Sequence, residues 1–211
     1  MSDLCRIGVF YDGSFVAYAQ RYYYHNRKLG WFDFKSFHTV VQDFVREKEQ
    51  GHSSYKVVYA AWFQGSFPAK QADERQLRND RILQHDAMHA GIDLKYLPMS
   101  MTHGEKGTDV ALAVDALGVG LTGKIDVAVL VTGDGDFVPL ARELMKNGVR
   151  VMAAYFDYRD GEYRSYANER LLFAANYELN ISGLETDKNF RTQFKSLFRV
   201  PETGHKEGAR C

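Results

Sequence analysis

Val127-Ala-Val-Leu-Val-Thr-Gly-Asp-Gly-Asp-Phe-Val-Pro-Leu140 is the stretch of sequence that decides the fold. Its first five residues are apolar and rich in β-branched side chains, which is typical of a strand buried in a sheet. The run stops at two aspartates, Asp134 and Asp136, with one glycine between them. The stretch therefore predicts a buried strand that carries two carboxylates to its carboxyl end.

A second strand, near the N-terminus, ends in the same way. It runs through Ile7-Gly-Val-Phe-Tyr-Asp12 and is followed by Gly13 and Ser14. In open α/β sheets, ligands bind in the crevice outside the carboxyl ends of the strands. We therefore expect Asp12, Asp134 and Asp136 to border one acidic pocket.

The composition is that of a globular protein with one domain. The chain has 211 residues, 45% of them hydrophobic and 26% charged, and no apolar run approaches the roughly 20 residues of a transmembrane helix. The N-terminus lacks the zones of a signal peptide, so we expect a soluble, cytoplasmic protein with no membrane partner. Cys5 and Cys211 are the only cysteines, which excludes a disulfide framework and a thiolate metal site. Lys plus Arg equals Asp plus Glu at 27 each, so binding of nucleic acid requires a local basic patch.

Apolar periodicity predicts strands and helices that alternate along most of the chain. Strands are predicted at 5–11, 55–63, 92–97, 126–132 and 149–156, and helices at 13–24, 34–49, 68–90, 109–117, 137–147 and 166–176. Such alternation requires a mostly parallel sheet with right-handed crossovers and helices on both faces. The predicted fold is therefore α/β, a three-layer α/β/α Rossmann-like domain, with a frayed tail from about residue 200.

Four aspartates in this pattern indicate metal-dependent chemistry. Asp12, Asp134 and Asp136 follow strands, and Asp109 opens a helix after a loop that contains glycine. Carboxylates that share a site repel one another unless a cation compensates their charge. Mg²⁺ and Mn²⁺ prefer oxygen ligands, and two-metal sites carry out phosphoryl transfer. The chemistry predicted from the residues is hydrolysis of a phosphodiester.

A structural role is open for each of these residues taken singly. Asp is a favoured helix N-cap, so Asp109 and Asp136 can simply satisfy backbone N–H groups, and Asp12 before Gly13 can be a turn residue. What favours a metal site is that these aspartates occur together at the ends of three secondary-structure elements. Asp115, six residues after Asp109, points to another helix face, and we interpret it as structural or peripheral to the site.

Several neighbouring residues are candidates for binding a substrate. Ser14 and Thr132 can orient the carboxylates or metal-bound water, although capping hydroxyls are common, and Lys106 can contact a substrate phosphate or remain solvated. The run Tyr22-Tyr23-Tyr24 can stack on bases or belong to the core.

Three segments resemble the NYN domain family, in particular its bacterial LabA-like group, a branch of the PIN-like nucleases. They are Val9-Phe-Tyr-Asp-Gly-Ser14, Glu105-Lys-Gly-Thr-Asp-Val-Ala-Leu-Ala-Val-Asp-Ala-Leu117 and Leu130-Val-Thr-Gly-Asp-Gly-Asp-Phe-Val-Pro-Leu140. Their order and spacing cover roughly residues 5–156, and the third segment is the most specific. Phe15 is a departure, since many relatives have Asn at that position.

The resemblance implies a PIN-like fold and a metal-dependent ribonuclease site. By motif position its catalytic and metal-binding residues would be Asp12, Asp109, Asp134 and Asp136, the cofactor Mg²⁺ or Mn²⁺, and the partner single-stranded RNA. Independently of the resemblance, the positions of Ser14, Lys106 and Thr132 beside these aspartates lead us to expect that they bind substrate. We expect the NYN/PIN-like domain to span residues 1–180 and a C-terminal extension, with a partly disordered tail, to span residues 181–211.

Two alternatives to an endoribonuclease remain open. A catalytically weak RNA-binding or regulatory module would keep the fold without turnover, and Phe15 and the neutral net charge favour it. A haloacid-dehalogenase-like phosphatase would explain Gly133-Asp-Gly-Asp136, but its nucleophile motif needs a second Asp where this chain has Ser14.

Overall fold

Six parallel strands form the central sheet in the computed structural model, which describes residues 3–66, 73–99 and 107–199. Their order across the sheet is β4-β3-β1-β5-β6-β9. The six strands are β1 (Leu4–Asp12), β3 (Ser54–Ser66), β4 (Asp93–Pro98), β5 (Val127–Val131), β6 (Arg150–Tyr155) and β9 (Tyr177–Asn180).

Helices cover both faces of this sheet. They are α1 (Gly13–Arg21), α2 (Phe34–Lys48), α3 (Glu74–His89), α4 (Thr108–Leu121), α5 (Val138–Lys146), α6 (Glu169–Ala174) and α7 (Arg191–Ser196). Side chains of α1, α2, α3 and α7 belong to one buried cluster, and those of α4, α5 and α6 belong to a second. Successive strand residues alternate between the clusters, since Val9 lies in the first and Phe10 in the second. The predicted three-layer α/β/α fold with a parallel central sheet is thus confirmed.

The centre of the sheet is the pairing of β1 with β5. Every residue of β5 is buried, as expected for a strand that is covered on both faces. The last aligned pair is Tyr11 with Val131, so Asp12 and Thr132 are the next residues on the two strands. On the other side of β1, Asp12 is aligned with Phe63 of β3. The parallel register therefore brings the ends of these strands to one edge of the sheet.

Short elements that the sequence does not predict complete the fold. They are a π-helical turn at Tyr22–Asn26, short 3-10 turns at Gly135–Phe137 and Ser182–Glu185, and two antiparallel ribbons, β2 (Trp31–Phe32) with β10 (Phe198–Arg199) and β7 (Tyr158–Asp160) with β8 (Tyr163–Ser165). The strand β9 is also absent from the sequence prediction, because its four residues carry too little periodicity.

The segment predicted as a C-terminal extension contributes to the main core as far as residue 199. Phe190, Phe194 and Phe198 are buried in the cluster that also contains α1 and α2. Tyr23 packs against Phe198 with ring centroids 4.7 Å apart. Residues 181–199 are therefore integrated with the preceding residues through their aromatic side chains, and the predicted tail from residue 200 lies outside the described residues.

Helix α3 lies within the helix that the sequence predicts over residues 68–90. Its described part starts at Glu74, after the N-cap Asp73, which forms a reciprocal capping box with Gln76. The predicted start at Pro68 lies outside the described residues. No helix in the described ranges combines the length and apolar character needed to cross a bilayer.

Replacing Gly13 by Ala should destabilise the fold. A Cβ atom at Gly13 would stand 2.6 Å from the Phe63 carbonyl oxygen and 2.6 Å from Trp62 Nε1, and neither the strand backbone nor the fully buried indole can retreat. We expect the free energy of unfolding, measured by urea denaturation, to fall by about 1–3 kcal/mol.

Gly118→Ala is the matched control for this substitution. Gly118 lies within α4, and no atom of the described residues comes within 4 Å of the position that a Cβ atom would take there. Alanine should therefore stabilise the helix by about 0.5–1 kcal/mol. Equal effects of the two substitutions would contradict the close approach of α1 to β3.

Candidate active site

Asp12 stands at the carboxyl end of β1 and caps helix α1. Its Oδ1 accepts hydrogen bonds from the Ser14 hydroxyl at 2.8 Å and from the backbone N–H of Phe15 at 3.1 Å. The capping bond holds the carboxylate at the mouth of the sheet, close to the positive end of the helix dipole. Asp12 is therefore both a structural cap and a carboxylate at the predicted edge.

Thr132 connects the ends of β1 and β5. Its hydroxyl donates to Asp12 Oδ2 at 3.0 Å and accepts from the backbone N–H of Asp134 at 3.2 Å. The residue has no exposed surface. The Thr132 hydroxyl therefore orients the Asp12 carboxylate, one of the roles that the sequence analysis considers for it.

Asp134 and Asp136 follow β5 in a turn at the carboxyl edge of the sheet. Asp134 Oδ1 accepts from the backbone N–H of Asp136 at 2.9 Å and caps the short 3-10 turn Gly135–Phe137. A side chain at Gly133 would collide with the Tyr166 carbonyl oxygen, and the Gly133 carbonyl accepts from Asn168 N at 2.8 Å. The glycine thus lets the loop before α6 pack directly on the turn.

Asp109 belongs to a different element, helix α4. It lies exposed in the first turn of α4, whose N-cap is Gly107 with a φ of 83° and no capping side chain. Because α4 follows the parallel strand β4, this helix end belongs to the carboxyl side of the sheet. Asp109 and Asp136 are therefore not N-caps, and the capping role considered for them falls to Asp12 and Asp134.

The described residues contain no ready-made cage for a metal ion. Across residues 3–66, 73–99 and 107–199, no group of three or more His, Cys, Asp or Glu side chains is arranged to hold a cation. Mg²⁺ is commonly bound through one or two carboxylates together with waters and substrate phosphates. Thr132 connects the Asp12 carboxylate to the backbone N–H of Asp134, so these two residues agree with an open site of that kind better than with a closed set of four carboxylates.

Ser14 and Lys106 are the other two residues that the sequence predicts to bind substrate. Ser14 is exposed, and its hydroxyl donates to Asp12, so it orients this carboxylate. Ser14 also occupies the place of the second Asp that a haloacid-dehalogenase-like phosphatase requires, and no observation favours that alternative. Lys106 lies outside the described residues.

Phe15, the residue that departs from the family pattern, packs inward. Its ring lies 5.9 Å from that of Phe156, and it borders Gly133. Phe15 thereby fills space between the ends of β1, β5 and β6 with an apolar ring.

Asp115 belongs to a separate cluster. Its carboxylate accepts from the Tyr59 hydroxyl at 2.6 Å and pairs with Lys95. Burial works to lower the pKa of Lys95, but the hydrogen bonds to Asp115 and Tyr59 outweigh it and raise this pKa above its ordinary value. The cluster agrees with the structural role that the sequence predicts for Asp115.

An open cavity of about 710 Å³ begins beside Asp136. Arg142 of α5 and Arg170 of α6 line it, and neither guanidinium forms an ion pair within the described part of the chain. Phe173, also in the lining, is 86% exposed. Arginine binds phosphate through a planar set of N–H donors, and an exposed aromatic ring can stack on a base. The sequence gives only a helical pattern here, so these residues are not predicted as part of the site.

A pair of histidines four residues apart is a second feature without a predicted role. His85 and His89 lie on one side of α3 with ring centroids 4.4 Å apart, a spacing that helical metal sites use. Arg199, however, already pairs with Asp86 and Asp33 beside them. The pair has no third ligand among the residues that the structure describes, so we assign it no site.

The model of the NYN domain family matches residues 6–181 of this sequence. The chain belongs to the NYN domain family. This is a family of the nuclease type, which agrees with the chemistry expected from the aspartates, and the resemblance inferred from the three motifs is confirmed at the level of the family.

The solved structures add the fold alone. The chain is similar to a protein of unknown function from Vibrio parahaemolyticus, with 22% sequence identity and a TM-score of 0.56. The similarity covers 90% of this chain and 96% of the Vibrio chain. No curated protein matches the sequence significantly.

Replacing Thr132 by Val should weaken the connection between β1 and β5. Valine has nearly the same shape but no hydroxyl, so Asp12 Oδ2 loses a donor and the backbone N–H of Asp134 loses its acceptor. We expect the free energy of unfolding to fall by about 1–3 kcal/mol. Thr132→Ser, which keeps the hydroxyl, should lose less than half as much, and equal losses in urea titrations would show that the hydroxyl contributes nothing.

Proposed function

We propose that this protein is a ribonuclease that depends on Mg²⁺ or Mn²⁺ and cleaves single-stranded RNA internally. The observation that carries the proposal is the connection of Asp12 to the Asp134 turn through the buried Thr132 hydroxyl. A purely structural cap needs no such link between two strand ends. Membership of a nuclease-type family supports the same reaction class.

The metal would be held by Asp12 and Asp134, with Asp109 and Asp136 as further oxygen ligands directly or through water. When bound, a divalent cation supplies Lewis-acid stabilisation of the phosphate and lowers the pKa of a coordinated water. The chain supplies rigid orientation, because the Ser14 hydroxyl, the Phe15 N–H and the Thr132 hydroxyl fix both oxygens of Asp12. A preorganised carboxylate loses little entropy when its ligand binds.

Asp136 has a second role in the proposal. Its side chain lines the cavity that contains Arg142 and Arg170. A carboxylate at the edge of a phosphate-binding cavity can accept a proton from the attacking water. We assign this proton transfer to Asp136.

The cavity beside Asp136 supports a polyanionic substrate. Arg142 and Arg170 offer guanidinium groups without an ion-pair partner in the described ranges, and they would bind the phosphates of a strand. Phe173 offers an exposed ring on which a base can stack, a contact that suits single-stranded RNA better than a duplex. Because the net charge of the chain is zero, binding of nucleic acid requires a local basic patch, and these two arginines provide one.

A non-catalytic RNA-binding module is the second candidate. It is favoured by the three hydrogen bonds that Asp12 already accepts and by the lack of a three-ligand group among the described residues. The same cavity would then bind RNA without cleavage. Titration with Mn²⁺ by calorimetry separates the two candidates, because only the nuclease should lose its cation affinity in Asp134→Asn.

Asp12→Asn and Asp134→Asn should each abolish most of the cleavage of single-stranded RNA in Mn²⁺. An amide keeps the size of the side chain but removes the negative charge, and loss of one metal-binding carboxylate should reduce the rate on the order of 100-fold or more, the size of effect seen when transition-state charge stabilisation is lost. The measurement is the initial rate of appearance of fragments from an RNA labelled at one end.

Asp157→Asn provides the matched control. Asp157 is also exposed and follows the parallel strand β6, but it lies outside the chain of hydrogen bonds around Thr132. It should cleave at the rate of the parent protein. No cleavage by the parent protein in Mn²⁺, or full cleavage by Asp134→Asn, would exclude the proposed nuclease.

A further inference from the structure

A second cavity, of about 280 Å³, lies between α1, the π-helical turn, the end of β3 and α3. We call it the α1–α3 pocket. Its volume is close to the lower end of the roughly 300–1,000 Å³ that pockets for small molecules occupy. The lining residues that could contact a ligand through rings, amides or charges are Arg21, Tyr24, Trp31, Gln64, Asn79 and Asp80.

Aromatic rings form one wall of the α1–α3 pocket. Tyr22 and Tyr23 point into the core, whereas Tyr24 is only half-buried and lies beside Trp31 with ring centroids 4.8 Å apart. The chain turns here through a wide π-helical loop in which Arg27 N donates to the Tyr22 carbonyl. Such π-turns are rare and occur often at functional sites. The tyrosine run is therefore divided between core packing and a surface on which a planar ligand can stack.

Helix α3 and the end of β3 contribute polar groups with unused hydrogen-bonding capacity to the pocket. Asn79 and Asp80 are half-buried on α3, and their side chains form no hydrogen bond within the described ranges. Gln64 accepts from Trp62 Nε1 at 3.0 Å, which leaves its amide NH₂ to donate. The pocket thus combines one carboxylate acceptor, amide donors and aromatic rings.

Basic side chains lie near His25, which lines the pocket. Burial lowers the pKa of His25, and the positive charges of Arg75, Lys28 and Arg21 lower it further. Arg21 itself lines the pocket. Phosphate groups of a nucleic-acid strand are attracted to such cations. If a base were bound in the pocket, the phosphates of its nucleotide would therefore lie near these positively charged side chains.

The α1–α3 pocket is close to the acidic site along the chain. Helix α1 starts immediately after Asp12, so Ala17 and Arg21, which line the pocket, stand about 7 and 13 Å further along the axis at about 1.5 Å per residue. Gln64 directly follows Phe63, the residue of β3 that is aligned with Asp12. A strand of RNA at the acidic site would pass within a few nucleotides of the pocket.

We propose that the α1–α3 pocket binds a guanine base of single-stranded RNA next to the cleavage site. A guanine edge presents two adjacent donors, N1–H and N2–H, which match the two oxygens of Asp80, and its O6 accepts from the amide of Asn79 or Gln64. Adenine, cytosine and uracil lack two adjacent ring and amino donors. This inference rests on the proposed function, since it takes single-stranded RNA as the ligand.

The test is a titration of tryptophan fluorescence with four RNA tetranucleotides, each with one G, A, C or U among uridines, in EDTA so that no strand is cut. Trp62 is fully buried, so a base that stacks in the pocket should quench Trp31. We expect the G-containing strand to bind at least about 5-fold tighter than the others, the size of effect that a good bidentate contact gives. Asp80→Asn should remove this preference, and Tyr24→Ala should weaken binding of all four strands roughly 5- to 100-fold.

Asp43→Asn is the control for Asp80→Asn, because Asp43 pairs with Arg46 on the surface of α2, away from the pocket. It should bind like the parent protein. Equal affinity for the four strands, or an unchanged preference in Asp80→Asn with the parent circular dichroism spectrum, would overturn the inference. Failure of the nuclease proposal is distinct, since it would appear as lack of cleavage in Mn²⁺ while guanine-dependent binding in EDTA persists.

Discussion

One buried hydroxyl holds the acidic edge of this protein together. Thr132 donates to Asp12 at the end of β1 and accepts from the backbone of Asp134 after β5. This geometry requires that β1 and β5 pair in parallel and in register, which the fully buried residues of β5 secure from both faces of the sheet. A slip by one residue would turn Thr132 away from Asp12, and the site would lose its framework.

The two cavities lie on opposite sides of this junction. The α1–α3 pocket is built over β3 and contains the aromatic wall, whereas the arginine-lined cavity is built by α5 and α6 on the other face. A single strand that crosses the carboxyl edge from one cavity to the other would pass Asp12, Asp134 and Asp136 between them. The parallel sheet thus supplies both the acidic groups and the direction in which a substrate would lie.

The sequence predicts the features that depend on local patterns. The apolar run at 127–131 and the aspartates that follow it are visible because a strand buried on both faces has no polar residues until it ends. Phe190, Phe194 and Phe198 are not recognised as core, because their burial depends on contacts with distant residues such as Tyr23. Local pattern therefore determines the layers of the fold but not the packing of residues 181–199.

The candidate site also contains some features that local sequence patterns predict and others that depend on tertiary packing. Asp12, Asp134 and Ser14 follow from strand ends and motif spacing, whereas the link through Thr132 depends on a side-chain rotamer that no pattern encodes. Arg142, Arg170 and Phe173 come together only because α5 and α6 pack side by side, and their separation in sequence hides the cavity. The same holds for the α1–α3 pocket, where Asp80 lines the same cavity as Tyr24, which lies in a turn more than fifty positions earlier.

The most direct test of the central claim is anomalous diffraction from crystals soaked in Mn²⁺. A manganese peak within coordination distance of both Asp12 and Asp134 is the predicted result. Manganese bound only elsewhere, with Asp12 still accepting from Ser14, Phe15 and Thr132 and far from any ion, would contradict it.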